Sequence, residues 1–272
     1  MISFTRVAHF QTSPKRYHDK MIPFIIVGHP RSGSTLLREA MAQHSEIKVL
    51  GELFHKLENE RKNTHFVRKR DGTKVYYQGN SIDALEFLYE NVWNSESERY
   101  HAVGFKLFGE RVQCIGADRL FVRLKEEVKG LHVVHIIRDN LLDMWVSRKK
   151  AEQSGVWRVP VLGKVPVPKR ALKPIKVDPV NLQKCFETYS KTTRFFERHF
   201  RDTHYLAIHY DMLTHDFKQQ LEKVFEFFNV KKIDCKMTIK KQNTTPHDDF
   251  IINFDELKEY FKLSQYAFCF DQ

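Results

Sequence analysis

The stretch "FIIVGHPRSGSTLL" (residues 24–37) constrains the fold of this chain more than any other feature. An apolar run leads into a turn bounded by Gly28 and Gly33, and apolar residues at helical spacing follow it. This order of strand, glycine-bounded turn and helix is the outline of a phosphate-binding P-loop, G-x-x-x-x-G-K-[ST]. Ser34 occupies the position of the P-loop lysine, however, and Arg31 places a cation inside the turn. The sequence therefore predicts a phosphate loop that works without that lysine.

Charge and cysteine content narrow the class of protein. The net charge of +11 and the pI near 9.4 indicate an anionic partner, such as a phosphorylated cofactor, an acidic glycan, nucleic acid or a membrane surface. The four cysteines are scattered, which favours free thiols in a reducing compartment. No apolar run reaches the ~18 residues that a membrane span needs, and residues 1–20 are polar and mixed, unlike a signal peptide. We therefore expect a soluble cytoplasmic protein.

Strand-like and helix-like patterns alternate along the chain. Strands are predicted at 21–28, 46–54, 102–108, 130–139 and 203–213, and helices at 34–44, 82–93, 141–153, 180–200 and 216–230. We expect Ser32 or Ser34 to cap the first helix and Ser81 to cap the second. The alternation predicts a single α/β domain over residues 1–272, with a P-loop-like, doubly wound, mostly parallel sheet flanked by helices.

Two basic segments interrupt this alternation. Residues 56–80 are charged and contain Asp71-Gly72, a hairpin-turn dipeptide. Residues 158–179 hold five of the nine prolines and six Lys or Arg residues against one acid, so regular helix or central strand is excluded there. Both segments are predicted to be basic loops inserted into the domain.

The loop suits the transfer of a sulfuryl group. A kinase loop needs its lysine and Mg²⁺ because the transferred phosphoryl group carries several negative charges. A sulfuryl group carries less charge, and negative charge grows on the leaving 5′-phosphate, where backbone N–H groups, a helix N-terminus and one cation can stabilise it. "PRSGST" (30–35) offers these groups and resembles the 5′-phosphosulfate loop, [PK]-[KR]-[ST]-G-[TS]-T, of the sulfotransferases that use 3′-phosphoadenosine 5′-phosphosulfate (PAPS). The resemblance implies that the co-substrate is bound without a metal by Arg31, Ser32, Gly33, Ser34 and Thr35.

A second stretch, "HIIRDNLLDMWVSRKKAEQSGVW", resembles the 3′-phosphate signature of that family. The resemblance implies that Arg138, at the end of a strand, and Ser147, about two helical turns later, hold the 3′-phosphate. Their spacing, and the following Trp157, are similar to the bacterial carbohydrate branch that includes the nodulation-factor sulfotransferases. Two later stretches, residues 208–230 and 240–261, also resemble this branch. The first implies that Tyr210 lies near the adenine. The second implies that Lys241, Gln242 and Asn243 form a cofactor loop.

The resemblance also suggests the general base that takes the proton from the acceptor hydroxyl. Glu52, in "LGELFH", is similar to a position at which relatives that modify trehalose use a carboxylate. His55 is the competitor, because cytosolic relatives use histidine, and Glu52 is alternatively a solvated carboxylate or a structural partner of Arg31. Lys106 interrupts the apolar run "GFKLF", and it either extends to the surface or points into the cleft towards the sulfate.

Other functions stay open on the sequence alone. Arg138-Asp139 is alternatively a structural ion pair at a strand end, or Asp139 is a magnesium-binding acid of a P-loop kinase, although the missing lysine counts against a kinase. A non-enzymatic protein could bind polyanions through the two basic segments, but no nucleic-acid motif is present. The histidines show no metal-site spacing, and His132 and His135 are predicted to point to opposite faces of their strand. We expect a hydroxyl-bearing acceptor, a saccharide or glycolipid, and the oligomeric state is left open.

Overall fold

The computed structural model describes residues 20–54, 67–68, 72–77, 83–108, 117–161, 166–168, 170–240 and 246–271. Its strands are β1 (Ile22–Gly28), β2 (Ile47–Glu52), β3 (Val67–Arg68), β4 (Lys74–Val75), β5 (Ala102–Phe108), β6 (His132–Ile137) and β7 (His204–His209). Its α-helices are α1 (Ser34–Met41), α2 (Ala84–Leu88), α3 (Ala117–Glu127), α4 (Leu141–Ser154), α5 (Pro179–Phe200), α6 (Tyr210–His215), α7 (Phe217–Phe227) and α8 (Phe254–Phe261). A π-helical turn, Tyr89–Trp93, extends α2.

The five long strands form one parallel sheet in the order β2-β5-β1-β6-β7. The central strand β1 is almost fully buried, because helices cover both faces of the sheet. One face packs against α2, α3 and α5, and the other packs against α1 and α7. This arrangement confirms the predicted α/β class, and it brings the carboxyl ends of β1, β5 and β6 to one edge, where an open α/β sheet binds its ligands.

The basic segments contain little regular structure where they are described. The strands β3 and β4 pair antiparallel, with Val67 opposite Val75, as the hairpin prediction requires, although Asp71 lies outside the described residues. Within 158–178, the described residues form only two isolated bridges, Pro160 with Ile239 and Ile175 with Ile251. The exclusion of helix and central strand is confirmed for those residues, but it is wrong for the last residue of the predicted segment, because α5 begins at Pro179.

Both predicted helix caps are wrong. Gly33, in the left-handed region with a φ of 91°, precedes α1 without a side-chain cap, and the Ser32 hydroxyl donates instead to the His29 carbonyl at 2.7 Å. The second helix begins at Ala84, and the Asp83 carboxylate, rather than Ser81, accepts the backbone N–H groups at its start. Ser81 itself lies outside the described residues. A carboxylate one residue before the first turn is the better acceptor for these N–H groups.

The prediction that the last strand continues to residue 213 is also wrong. The strand β7 ends at His209, and α6 begins at Tyr210. Tyr210 and Leu213 are both buried and three residues apart, which is helical spacing rather than the alternation of a strand. The prediction for His132 and His135 is confirmed, since His132 stacks on His204 while His135 packs against Phe196 on the opposite face.

Candidate active site

The turn between β1 and α1 has the backbone of an anion-binding loop. Arg31 adopts a left-handed φ of 71°, which is uncommon for a residue other than glycine, and Gly33 follows with a φ of 91°. A Cβ atom on Gly33 would lie 2.2 Å from the Tyr210 ring, so the turn and this ring are closely packed. Because none of the described side chains caps α1, its first backbone N–H groups remain available to a negatively charged ligand.

A cavity lies at this turn and is lined by most of the residues that the sequence predicts to bind the co-substrate. Besides part of the loop, the cavity is lined by residues distant in sequence, which directly follow β6 or lie on α4 and α6. The predicted residues among its lining are Arg31, Gly33, Ser34, Thr35, Arg138, Ser147 and Tyr210. Ser32 does not line it, because its side chain is fully buried and bonded within the loop. His55, Lys241, Gln242 and Asn243 lie outside the described residues.

Two guanidinium groups meet inside this cavity. The Arg31 Nε donates to the Ser147 hydroxyl at 2.9 Å, and the Arg138 Nη1 donates to the Arg31 carbonyl at 3.1 Å. Burial and the nearby Arg138 charge lower the pKa of Arg31 to about 10. Two cations held this close repel each other, so an anion bound between them would be stabilised. The loop cation therefore contacts Ser147, a residue that the resemblance assigns to the 3′-phosphate.

The Arg138 side chain can donate a hydrogen bond to a ligand. Its side chain is only 5% exposed, its Nη2 donates to Asp143 at 2.7 Å, and its buried Nε has no hydrogen-bond partner among the described residues. A buried donor without a partner is costly unless a bound group accepts from it. The Arg138 guanidinium carbon lies 4.5 Å from the centre of the Tyr210 ring, so the ring makes a cation–π contact with the arginine. These residues fit a phosphate ester.

The ion pair of Arg138 is with Asp143, which the sequence analysis did not single out. Asp143 also accepts from His247 Nε2 at 2.7 Å, and the Asn140 side chain accepts the Asp143 backbone N–H at 2.9 Å. Burial alone would raise the pKa of Asp143, but the His247 hydrogen bond and the Arg138 charge hold it well below its usual range. The proposed Arg138-Asp139 pair is wrong, because Asp139 points outward to His209 at 2.8 Å.

Lys106 and Glu52 form a second polar group beside the loop. Lys106 Nζ lies 3.3 Å from the Thr35 hydroxyl and 3.4 Å from Glu52 Oε1, and its side chain is 7% exposed. Of the two alternatives for this lysine, the structure therefore selects the cleft. Burial lowers the pKa of Lys106, and the negative charge of Glu52 opposes that shift. Glu52 contacts Lys106 and is itself partly exposed, so a ligand can reach it.

Two peptide segments cover the far end of the cavity and were missed by sequence reasoning. Backbone bonds join Val161 to Thr238 at 2.8 Å and Lys240 to Val159 at 3.0 Å. Glu39 of α1 anchors both segments, since it pairs with Arg158 at 2.6 Å and accepts from the Thr238 hydroxyl at 2.7 Å. The cavity is lined here by Trp157, Arg158, Met237, Ile239 and Lys240. Arg158 begins the predicted basic segment and Trp157 was named from the family resemblance, but nothing in residues 237–239 signals a ligand site.

Comparison with known proteins gives a family match for one part of the chain. Residues 23–106, which contain the loop, Glu52 and Lys106, match the model of the family described as "Sulfotransferase family". Over this segment the chain is similar to the sulfotransferase family. Enzymes of this family use PAPS as the sulfuryl donor, so the match supports a PAPS-dependent sulfotransferase. A search among curated proteins gives no match.

Solved structures with similar folds are distant in sequence. Mouse sulfotransferase SULT7A1 complexed with PAP is 14% identical, with a TM-score of 0.41, over 92% of this chain and 88% of that one. A sulfotransferase from Alicyclobacillus acidocaldarius is 14% identical, with a TM-score of 0.49, over 92% and 95%. The sulfotransferase domain of the Synechococcus PCC 7002 olefin synthase is 16% identical, with a TM-score of 0.42, over 81% and 77%. Because these TM-scores are below 0.5, the similarity to sulfotransferases rests on the sequence match over residues 23–106.

No group of three or more His, Cys, Asp or Glu residues suited to a metal ion occurs in the part of the chain that the structure describes. In the same part of the chain, no helix has the length and apolar character needed to cross a membrane.

Proposed function

We propose that this sulfotransferase moves the sulfuryl group of PAPS to a hydroxyl group of a carbohydrate or glycolipid. The observation that carries the proposal is the pair of anion-binding groups in one cavity: the start of α1, which no described side chain caps, and the buried Arg138, whose Nε has no partner among the described residues, together with Ser147. A nucleotide with phosphates at both the 5′ and 3′ positions matches two such groups. The resemblance to the bacterial carbohydrate branch supports a saccharide acceptor.

In the proposed reaction, the loop and the start of α1 hold the 5′-phosphosulfate, while Arg138 and Ser147 hold the 3′-phosphate. The acceptor oxygen attacks sulfur, the new S–O bond forms, and the S–O bond to the 5′-phosphate breaks. Lys106, next to Thr35, lies where its charge can stabilise the transferred group. Arg31 contributes positive charge from the 3′-phosphate side, because its guanidinium contacts Ser147.

We propose Glu52 as the general base. Its carboxylate lies beside Lys106 at the end of β2, so it is close to the loop but outside the nucleotide cavity. A base must reach the acceptor oxygen on the side opposite the leaving phosphate, and this position suits that requirement. His55, three residues further on, remains the competitor from sequence.

The proposal extends to the domain and the location of the protein. The cavity is lined by residues from 31 to 240, which supports one domain for the whole chain. Cys185, Cys235 and Cys269 are free thiols among the described residues, which supports a reducing, cytoplasmic compartment.

The testing experiment combines donor binding with transfer. Adenosine 3′,5′-bisphosphate should raise the melting temperature in the presence of EDTA, and adenosine 5′-monophosphate should raise it much less, because it leaves Arg138 without a phosphate. Radiolabelled PAPS should then label a saccharide or glycolipid fraction. Equal stabilisation by the two nucleotides, or a strict requirement for magnesium, would contradict the assignment of the donor site, and label confined to peptide or small aromatic acceptors would contradict the acceptor class.

A further inference from the structure

A groove that the proposed reaction does not use runs along the outer edge of the sheet. The edge strand β2 pairs with β5 on one side, and on its other side lies a groove of about 540 Å³. Such a volume is in the range, roughly 300–1,000 Å³, of known ligand sites. We call it the edge groove and define it by Arg38, Lys48, Leu50, Gly51, Arg99 and Tyr100, which line its length.

The edge groove is positively charged. Arg38, Lys48 and Arg99 line it, and its described lining includes no Asp or Glu. Lys48 Nζ and the Arg99 guanidinium carbon lie 5.6 Å and 5.2 Å from the centre of the Tyr100 ring, so one aromatic ring supports two cations. Arg38 forms an ion pair with Glu39, with 3.1 Å between its Nη2 and Glu39 Oε1. Lys48 and Arg99 are therefore the cations that a bound anion would meet in the groove.

The edge groove leads to the reaction centre. Its last β2 residue, Gly51, directly precedes Glu52. Glu52 contacts Lys106 at 3.4 Å, and Lys106 contacts Thr35, which lines the nucleotide cavity, at 3.3 Å. A chain lying in the groove would thus present its end, or an internal group, to Glu52 on the side away from the nucleotide.

The shape of β2 favours a sugar chain over a peptide. A peptide could pair with a free sheet edge only if the edge kept a regular hydrogen-bonding register. The register of β2 shifts between Val49 and Glu52, which breaks that edge just before the reaction centre. An acidic saccharide needs no backbone ladder, because its carboxylates contact cations directly.

We propose that the edge groove binds the acceptor as an acidic saccharide chain, with its carboxylates on Lys48 and Arg99 and its target hydroxyl at Glu52. This inference rests on the proposed function and adds the charge and polymeric nature of the acceptor. It also assigns acceptor recognition to residues that are separate from the donor cavity.

The test measures binding of defined oligosaccharides to the full chain with adenosine 3′,5′-bisphosphate present, by titration calorimetry at low and moderate salt. The probes are a hyaluronan octasaccharide, a neutral N-acetylglucosamine oligomer of similar length and a glutamate-rich peptide. The double variant Lys48→Gln/Arg99→Gln is compared with Lys191→Gln/Arg198→Gln, a matched change in another basic pocket, on α5. The bisphosphate-induced shift in melting temperature, measured on each protein, reports the donor site independently.

The wild-type chain should bind the hyaluronan probe, more weakly as salt is raised, and bind the neutral oligomer far less. The groove variant should lose about tenfold in affinity, as expected for two exposed ion pairs, while the α5 variant loses less than about twofold. Equal binding of neutral and acidic sugars, no binding of the hyaluronan probe, equal losses in both variants, or tighter binding of the acidic peptide would each overturn the proposal. Loss of the bisphosphate response in the wild-type chain would instead refute the proposed function.

Discussion

The Asp143→Asn substitution tests the organisation of the donor site most directly. Asp143 pairs with the buried Arg138 at 2.7 Å and accepts from His247 at 2.7 Å. Asparagine keeps the size of the side chain and one carbonyl oxygen, but it removes the charge. Arg138 would then remain buried without its carboxylate partner, and an uncompensated buried charge is what makes the loss of one partner strongly destabilising.

The magnitude follows from burial. Removing one partner of a fully buried pair costs about 3–5 kcal/mol. Arg138 is 5% exposed but Asp143 is 16% exposed, so water screens part of the interaction and we expect a loss of about 2–3 kcal/mol. In a chain of this size that corresponds to a melting temperature lower by roughly 5–10 °C.

The pH dependence of this effect has a definite sign. The pKa of Asp143 is lowered from 3.8 in the folded protein, so its contribution to the free energy of unfolding is complete above the unfolded pKa. That contribution is lost only as the pH falls below about 4 towards the folded pKa. The difference between wild type and variant should therefore be constant from about pH 5 to 8 and shrink in acid.

Urea unfolding, followed by tryptophan fluorescence, measures the loss, with Asp139→Asn as the control. Asp139 pairs with His209 at the surface, where both side chains are about half exposed, and its substitution should cost less than about 0.5 kcal/mol. Adenosine 3′,5′-bisphosphate supplies a new counter-charge to Arg138, so it should narrow the gap between Asp143→Asn and wild type, and adenosine 5′-monophosphate should not. If both variants stay within about 0.5 kcal/mol of wild type, the ion pair does not organise the site.

Three further predictions concern the loop and the residues beside it. Glu52→Gln should reduce turnover by ~10²–10⁴ in a steady-state transfer assay, with unchanged bisphosphate affinity; near-normal turnover would remove it as the base. Lys106→Met should lower kcat. Burial lowers the pKa of Lys106 below the ordinary lysine value of ~10.4. Wild-type activity should therefore begin to decline before the pH reaches that value, and the variant should lack this decline. Gly33→Ala should cost about 2–4 kcal/mol in urea unfolding, since its Cβ would lie 2.2 Å from Tyr210, whereas Gly72→Ala, with a similar φ and no neighbour within 4 Å, should cost about 1 kcal/mol.

The parts of the site that could be predicted are those fixed by the order of strands. The loop and Arg138 are over a hundred residues apart, but each follows a buried strand, and β1 and β6 are neighbours with Gly28 opposite Ile136. Parallel strands end at the same edge of a sheet, so recognising two strand–helix junctions was enough to bring these residues together. The family signatures then assigned a phosphate to each junction.

The remaining parts depend on side-chain contacts that no period in the sequence reveals. His247 reaches Asp143 from a segment near the C-terminus, and Asp143 lies on a helix with no other sign of its role. The Ser32 hydroxyl, predicted as a cap, bonds to His29 instead, and Gly33 turns the backbone into a left-handed conformation before the helix begins. The direction of Lys106 was undecided from sequence, since a lysine on a buried strand can follow either course.

We propose that Lys106, rather than Arg31, supplies the positive charge of the missing P-loop lysine. Ser34, at the lysine position, is buried at the start of α1, and Arg31 contacts Ser147, on the side where the 3′-phosphate is proposed to bind. The cation beside Thr35 comes from β5, where Lys106 is in register with Glu52 of β2. Because the sheet fixes both residues, movement of the loop on donor binding would leave the distance between the cation and the proposed base unchanged. We therefore expect that substitutions in the loop alter donor affinity, whereas substitutions at these two strand positions alter the transfer step itself.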